Sequence, residues 1–157
     1  MSSIVLGLAV LLSLVGYQVG MRRYRMHRLR RKWEEAGAAM QRHAPEEARR
    51  LLEQCVRLEP LWAQGRLRLA DVLTQMGQLS EAEEQYKMVA ALQPRIASGH
   101  FVLGLFYAMH QPERRDDALA AVKKALELQP EMKKLLVEHY AHFKALHDHP
   151  EFRDLVS

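Results

Sequence analysis

The chain has 157 residues, enough for one modest domain with appendages, and a formal net charge of +4. Seven of its 23 Lys and Arg residues lie between Arg22 and Lys32, and removing them leaves 16 basic against 19 acidic residues. The basic residues are therefore not spread over a folded surface, which excludes a nucleic-acid-binding domain. Cys55 is the single cysteine, so an intramolecular disulfide and a thiolate zinc cluster are excluded as well.

The first twenty residues predict a membrane-spanning helix. From Ile4 to Val19 no residue is charged, and ten of the sixteen residues are Ile, Leu or Val. A helix of this length, at about 1.5 Å per residue, approaches the ~30 Å hydrocarbon core of a bilayer. The basic cluster follows the apolar stretch, which is the reverse of a cleavable signal peptide. By the positive-inside rule, the sequence predicts an uncleaved, single-pass anchor over residues 1–21, with the amino terminus outside and the remainder cytoplasmic.

Two further features accompany this anchor. Small residues on one of its faces predict close helix packing, either for self-association or for a membrane partner; they are Ala9, Ser13, Gly16 and Gly20. Residues 22–32 form a basic juxtamembrane segment that we expect to lie against anionic lipid headgroups. Its basic residues are Arg22, Arg23, Arg25, Arg28, Arg30, Arg31 and Lys32.

Residues 33–130 contain a repeat. Pro60, Pro94 and Pro130 each close a Leu-x-Pro triplet, and their positions are about 34 to 36 residues apart. A period of this length, built from two amphipathic helices, predicts about three helical hairpins stacked as a solenoid. Each proline is expected to end the second helix of a hairpin.

These units resemble the tetratricopeptide repeat family, whose pattern is W-x-x-L-G-x-x-Y, then A-x-x-x-F, then Pro. The third unit matches with Leu103, Gly104, Tyr107, Ala118, Ala125 and Pro130, and the second with Ala82, Tyr86 and Pro94. In the second unit, Ser80 and Glu83 predict a capping box at the start of the second helix. In the third, the stretch HQPERRDD holds two extra residues, which we expect to lengthen the turn without breaking the hairpin.

Residues 131–157 are predicted to form a capping helix and a tail. An apolar stripe at helical spacing predicts one helix that covers the last hairpin; it comprises Met132, Leu135, Leu136, His139, Tyr140, Phe143 and Leu146. Phe152 and Leu155 are expected to fold back onto this helix. The predicted fold class is therefore all-α, with an amino-terminal transmembrane helix, about three repeats and a carboxy-terminal cap.

No catalytic motif is present in the sequence: there is no G-x-S-x-G, no phosphate-binding glycine-rich loop and no H-E-x-x-H. His139 and His142 share a helical face, but a metal site needs three or four converging ligands. The sequence thus predicts no enzyme, no cofactor, no metal and no small-molecule substrate.

The family resemblance implies a binding groove along the first helix of each hairpin. The implied lining is Trp33, Gln64, Leu67, Asp71, Gln75, Phe101, Leu105 and Met109. This surface is largely apolar, which suits an apolar or amphipathic helix of a partner protein. The alternative is that Phe101 and Leu105 pack between hairpins, or are covered by the chain's own cap.

We therefore expect a membrane-anchored adaptor or scaffold that binds partner proteins, themselves membrane-associated, at the cytoplasmic membrane face. The excess of Arg over Lys and the Ala-rich helices favour a bacterial inner membrane. The alternative function is that of an accessory structural subunit of a larger membrane complex, held through its transmembrane helix.

Overall fold

The computed structural model describes residues 2–157, with side chains from Leu14 onward, and within this range every regular element is helical. The all-α prediction is thereby confirmed. The chain divides into two compact units, Met1–Pro60 and Leu61–Ser157. The α-helices are α1 (Ser2–Gln41), α2 (Pro45–Leu58), α3 (Ala63–Gln75), α4 (Leu79–Leu92), α5 (Ala97–His110), α6 (Arg115–Leu128), α7 (Met132–Glu138) and α8 (Pro150–Val156).

The first unit is a hairpin of α1 and α2. The carboxy-terminal part of α1 buries Leu29, Ala36 and Ala39, and α2 buries Ala48, Leu51, Leu52 and Cys55. Cys55 is fully buried, as its apolar flanks predict. Helix α1 continues through both predicted boundaries, after residues 21 and 32, so the predicted anchor, the predicted basic segment and the start of the predicted repeats share one helix.

The predicted anchor, residues 1–21, falls in large part outside the described residues, because the side chains of residues 2–13 and all of Met1 are not described. Across the described part of the chain, no helix is apolar over a stretch long enough to span a bilayer. From residue 14 to residue 28, every residue of α1 is exposed. The large apolar residues in this exposed stretch are Leu14, Val15, Tyr17, Val19, Met21, Tyr24 and Met26.

In the second unit, α3 and α4 form a hairpin joined at Gly77. Gly77 has a φ of 73°, a left-handed conformation that residues with a Cβ rarely adopt. The amide of Gln78 donates to the carbonyl of Leu73 at 2.9 Å, which closes α3 with a Schellman turn. Because α4 then begins directly at Leu79, Ser80 already lies inside the helix, and the predicted capping box with Glu83 is wrong: α4 has no side-chain cap hydrogen bond.

Helices α5 and α6 form the next hairpin and cross closely at Gly104. A Cβ on Gly104 would lie 2.9 Å from Cγ2 of Val122 and 3.0 Å from the carbonyl oxygen of Ala118. The two extra residues of the turn are accommodated by a 3-10 helix, Pro112–Arg114, and the hairpin is intact. Helices α2, α4 and α6 each end two residues before a proline, as predicted.

The carboxy-terminal segment differs from the single capping helix predicted. Helix α7 ends at Glu138, a 3-10 segment follows over Tyr140–Leu146, and Phe143 in that segment is non-helical (φ −96°, ψ 30°). This break lets the fully buried ring of Phe143 contact Phe152 of α8, with ring centroids 5.6 Å apart. Burial of these aromatic rings outweighs the continuity of the helix. The predicted return of Phe152 onto the cap is confirmed.

Candidate functional site

The predicted groove residues of the second unit lie on α3 and α5. Gln64 and Gln75 are exposed, and Met109 is 46% exposed. Leu67, Asp71 and Leu105 are half-buried. Trp33, the remaining predicted member, is half-buried on α1 in the first unit. Solvent therefore reaches the predicted lining at the start of α3, at Gln64, and at the ends of α3 and α5, at Gln75 and Met109.

Two clefts flank the start of α5, and both are lined by Ser98. One, of about 70 Å³, is lined by Gln64 and Leu67 of α3 and by Val102 of α5, among others. The other, of about 350 Å³, lies on the α7 side and is lined by Met132, Leu135, Lys134 and Glu138, among others. Exposed Ser98 is thus the residue that the two clefts share.

Phe101, predicted to line the groove, is instead a core residue. Its side chain is 3% exposed, and its ring packs against Phe143 at a centroid distance of 5.9 Å and against His139 at 6.4 Å. Of the two alternatives weighed from the sequence, the chain's own cap covers this position. The accessible apolar surface is accordingly smaller than the repeat pattern implies.

Asp71, a predicted groove residue, is held by a neighbouring helix. The hydroxyl of Tyr86 on α4 donates to Oδ1 of Asp71 at 2.7 Å. Burial raises the pKa of Asp71, and the hydrogen bond from Tyr86 and the charge of Arg68 oppose that rise. Burial and the adjacent carboxylate raise the pKa of Tyr86 well above its usual range. Asp71 therefore links α3 to α4 through this hydrogen bond, and part of its side chain remains accessible at the surface.

A polar cluster around Glu83 was missed by the sequence analysis. Glu83 of α4 accepts hydrogen bonds from Tyr107 Oη (3.2 Å), Gln111 Nε2 (3.1 Å) and Arg114 Nη1. The Arg114 guanidinium also lies 4.3 Å from the centre of the Tyr107 ring. The sequence identifies Tyr107 as a motif residue and predicts a longer turn between α5 and α6. Neither feature indicates that Arg114, in that turn, contacts Glu83 of α4.

The pKa of Glu83 reflects two opposing effects. Burial raises the pKa, but hydrogen bonds from Lys87, Gln111 and Arg114, together with the charge of Arg114, outweigh it and lower the pKa of Glu83 to about 2. The carboxylate is therefore ionised at neutral pH and ties α4 to the end of α5 and the turn that follows.

The basic residues of α1 differ from one another in their ion pairs. Three are paired with acidic residues along the helix: Arg30 with Glu34 (2.9 Å), Arg31 with Glu35 (3.4 Å) and Lys32 with Glu35 (3.0 Å). The Arg30 and Arg31 pairs are exposed and add little stability, whereas the side chain of Lys32 is largely shielded from solvent.

Only two of the four predicted packing residues of the anchor, Gly16 and Gly20, lie where the structure describes the surroundings of side chains. The side chains of Ala9 and Ser13 lie outside the described part of the chain. A Cβ added to Gly16 or Gly20 would meet no atom within 4 Å. Within the described residues, no group of three or more His, Cys, Asp or Glu side chains is placed to hold a metal ion.

Known proteins resemble parts of this chain. The tetratricopeptide repeat family model matches residues 39–98. The human protein O-mannosyl-transferase TMTC1 is 33% identical over 93 residues, which is 59% of this chain. The chain spans about a tenth of the length of the curated relatives that it matches, so the transferase activity is not carried over.

Two solved structures show the same fold. MamA superposes with a TM-score of 0.65 at 19% identity, over 82% of this chain and 71% of that chain. YrrB, described as a tetratricopeptide repeat protein with an unusual peptide-binding site, superposes with a TM-score of 0.57 at 26% identity, over 68% of this chain and 53% of that one. The predicted family resemblance and the helical solenoid fold are confirmed.

Proposed function

We propose that this protein is a non-enzymatic scaffold that binds a helical or extended segment of a partner protein, and the match of residues 39–98 to the tetratricopeptide repeat family model supports this. The observation that supports this most directly is the pair of clefts that share Ser98. Their walls mix apolar side chains, such as Leu67 and Met132, with polar ones. A surface of this kind suits an amphipathic segment, whose apolar residues enter the clefts while its polar residues remain at the rim.

The similarity to YrrB supports the same proposal, since that protein is described as binding a peptide. Lys134 and Glu138, which both line the larger cleft, lie 4.0 Å apart as an ion pair, so together they add no net charge to it. Phe101 takes no part, because the cap covers it. The groove members of the second unit that remain accessible are Gln64, Leu67, Asp71, Gln75, Leu105 and Met109.

A bulky substitution at Ser98 tests this proposal. Ser98→Trp would place a large ring at the residue that lines both clefts, and because Ser98 is exposed the fold should be retained. Ala91→Trp, on the exposed side of α4, adds the same side chain elsewhere and is the matched control. After cross-linking in native membranes, quantitative mass spectrometry should show partners lost at least tenfold with Ser98→Trp and retained with Ala91→Trp. Equal recovery with both variants would refute the groove.

The proposal includes a tether to the membrane through residues 1–21, with the repeats on the cytoplasmic side of a bacterial inner membrane. It is supported by the uncharged stretch from Ile4 to Val19, by the basic cluster after it and by the exposed apolar residues of α1. A protease added outside intact spheroplasts should leave the second unit uncut. Digestion of that unit without lysis would refute this orientation.

The second candidate function is that of an accessory subunit held through α1. The observation that favours it is the open space around Gly16 and Gly20, beside exposed apolar side chains such as Leu14 and Val15. Close approach of another helix is possible there because no side chain fills that space. If Gly16→Leu with Gly20→Leu abolishes co-purification of partners and Ser98→Trp does not, the subunit function is supported and the groove is not.

A further inference from the structure

The end of α2 returns to α1 beside the basic cluster and leaves a concave site there. A cavity of about 590 Å³ lies against α1 and is closed on one side by Leu58, the last residue of α2. Most of the lining on α1, from Tyr17 to Arg28, recurs at helical spacing on one face of the helix, and Arg22 flanks that face. The residues that matter are Tyr17, Met21, Arg22, Tyr24, Arg25 and Arg28.

This site divides the basic cluster into two groups. Arg22, Arg25 and Arg28 line the cavity, whereas Arg30 and Arg31 do not and are paired with Glu34 and Glu35. Among the described residues, the one carboxylate within ion-pairing distance of the three lining arginines is Glu59, whose Oε2 lies 4.0 Å from Arg25 Nη2. The cavity therefore carries an excess positive charge of about two, which an anion would neutralise.

The walls of the cavity also have an apolar part. This part lies on the amino-terminal side of the cavity and is formed by Tyr17 and Val19, which belong to the uncharged stretch, and by Met21. The arginines line the carboxy-terminal side. The side chain of Arg28 sits over the ring of Tyr24, 5.8 Å from the ring centre. A ligand that fits both parts must join a negatively charged group to a hydrocarbon portion.

We propose that this cavity binds one anionic phospholipid, with its phosphate between Arg22, Arg25 and Arg28 and its first acyl carbons against Tyr17, Met21 and Leu58. The inference rests on the membrane location in the proposed function and adds a defined site to it. A free phosphate would use the arginines alone and leave the apolar wall unoccupied. A diffuse attraction to headgroups would involve all seven basic residues alike.

Two triple variants with the same loss of charge test the site. Arg22→Gln, Arg25→Gln and Arg28→Gln remove the lining arginines, and Arg23→Gln, Arg30→Gln and Arg31→Gln remove three that do not line the cavity. The full chain is purified in detergent micelles doped with phosphatidylglycerol or with phosphatidylcholine at equal mole fraction. Native mass spectrometry then counts the lipids retained, and circular dichroism checks that all variants keep their helices.

We expect the unsubstituted chain and the second triple variant to retain one phosphatidylglycerol in preference to phosphatidylcholine. The first triple variant should bind phosphatidylglycerol more weakly by about fivefold per arginine, or on the order of 100-fold in all. Equal losses in both triple variants, or equal retention of the two lipids, would overturn the site. Retention of glycerol phosphate as strong as that of the lipid would overturn the acyl contact.

The outcome of this assay is separable from that of the proposed function. Reconstitution of the same proteins into nanodiscs reports whether the chain enters a bilayer at all. A chain that fails to enter refutes the tether, whereas a chain that enters but shows no difference between the triple variants refutes the lipid site alone.

Discussion

Replacement of Glu83 by Gln tests the polar cluster that joins α4 to α5 and to the turn after it. Gln keeps the size of the side chain and can still accept from Tyr107, but it removes the negative charge that Arg114 and Lys87 face. A fall in pKa from 4.5 to about 2 corresponds to about 3 kcal/mol of stabilisation at neutral pH. Because Arg114 is about one-third exposed and Lys87 more so, we discount this to about 1–2 kcal/mol.

The pH dependence follows from the direction of the shift. The folded-state pKa of Glu83 lies below the unfolded-state value, so its stabilisation is fully present above pH 4.5 and is lost as the pH falls towards 2. Thermal unfolding of the full chain in detergent, followed by circular dichroism, should show a midpoint lower by about 3–6 °C for Glu83→Gln at pH 7. The difference from the unsubstituted chain should shrink steadily below pH 4.5.

The neighbouring Glu84 provides a matched control. It is exposed on the same helix, so Glu84→Gln changes the net charge equally. The unfolding midpoint should therefore be nearly unchanged at pH 7 and at pH 2.5. If Glu84→Gln lowers the midpoint as much as Glu83→Gln, or if the effect of Glu83→Gln is the same at pH 7 and pH 2.5, the assigned role of the carboxylate is refuted.

Three further substitutions are informative, each followed by thermal unfolding. Gly104→Ala should destabilise the chain by about 1–3 kcal/mol, because its Cβ would lie 2.9 Å from Val122, and a neutral result would contradict the close crossing. Asp71→Asn should raise the midpoint at pH 7 and lose that gain in acid, since burial disfavours the ionised carboxylate while an amide oxygen still accepts from Tyr86. Phe152→Ala should cost about 3–5 kcal/mol and increase hydrogen exchange in α5, whereas unchanged exchange would show that the cap does not protect that helix.

Much of the repeat architecture could be predicted because its determinants are local. The prolines cannot continue a helix, so the ends of α2, α4 and α6 follow from Pro60, Pro94 and Pro130. Gly104 marks a close helix crossing because a side chain there would overlap the facing helix.

The predictions that failed depend on residues distant in sequence. Periodicity placed Phe143 on a continuous helix, but the chain breaks there so that its ring can contact Phe101, 42 positions earlier in the sequence. Glu83 looked like a capping residue because a capping box is recognised from four residues, while its partner Arg114 lies 31 residues away. Local patterns do not report contacts of this kind, since these arise only when the hairpins are assembled.

The uninterrupted course of α1 has a mechanical consequence. At about 1.5 Å per residue, its 40 residues make a helix of about 60 Å, with no break between the exposed residues 14–28 and the part that packs on α2. A rotation or tilt of the amino-terminal end therefore reaches the first hairpin through continuous helix. One extra residue inserted near His27 would rotate the part of α1 that packs on α2 by about 100° about the helix axis, relative to the part before it. The number of residues between the two parts therefore sets the direction in which the first hairpin faces.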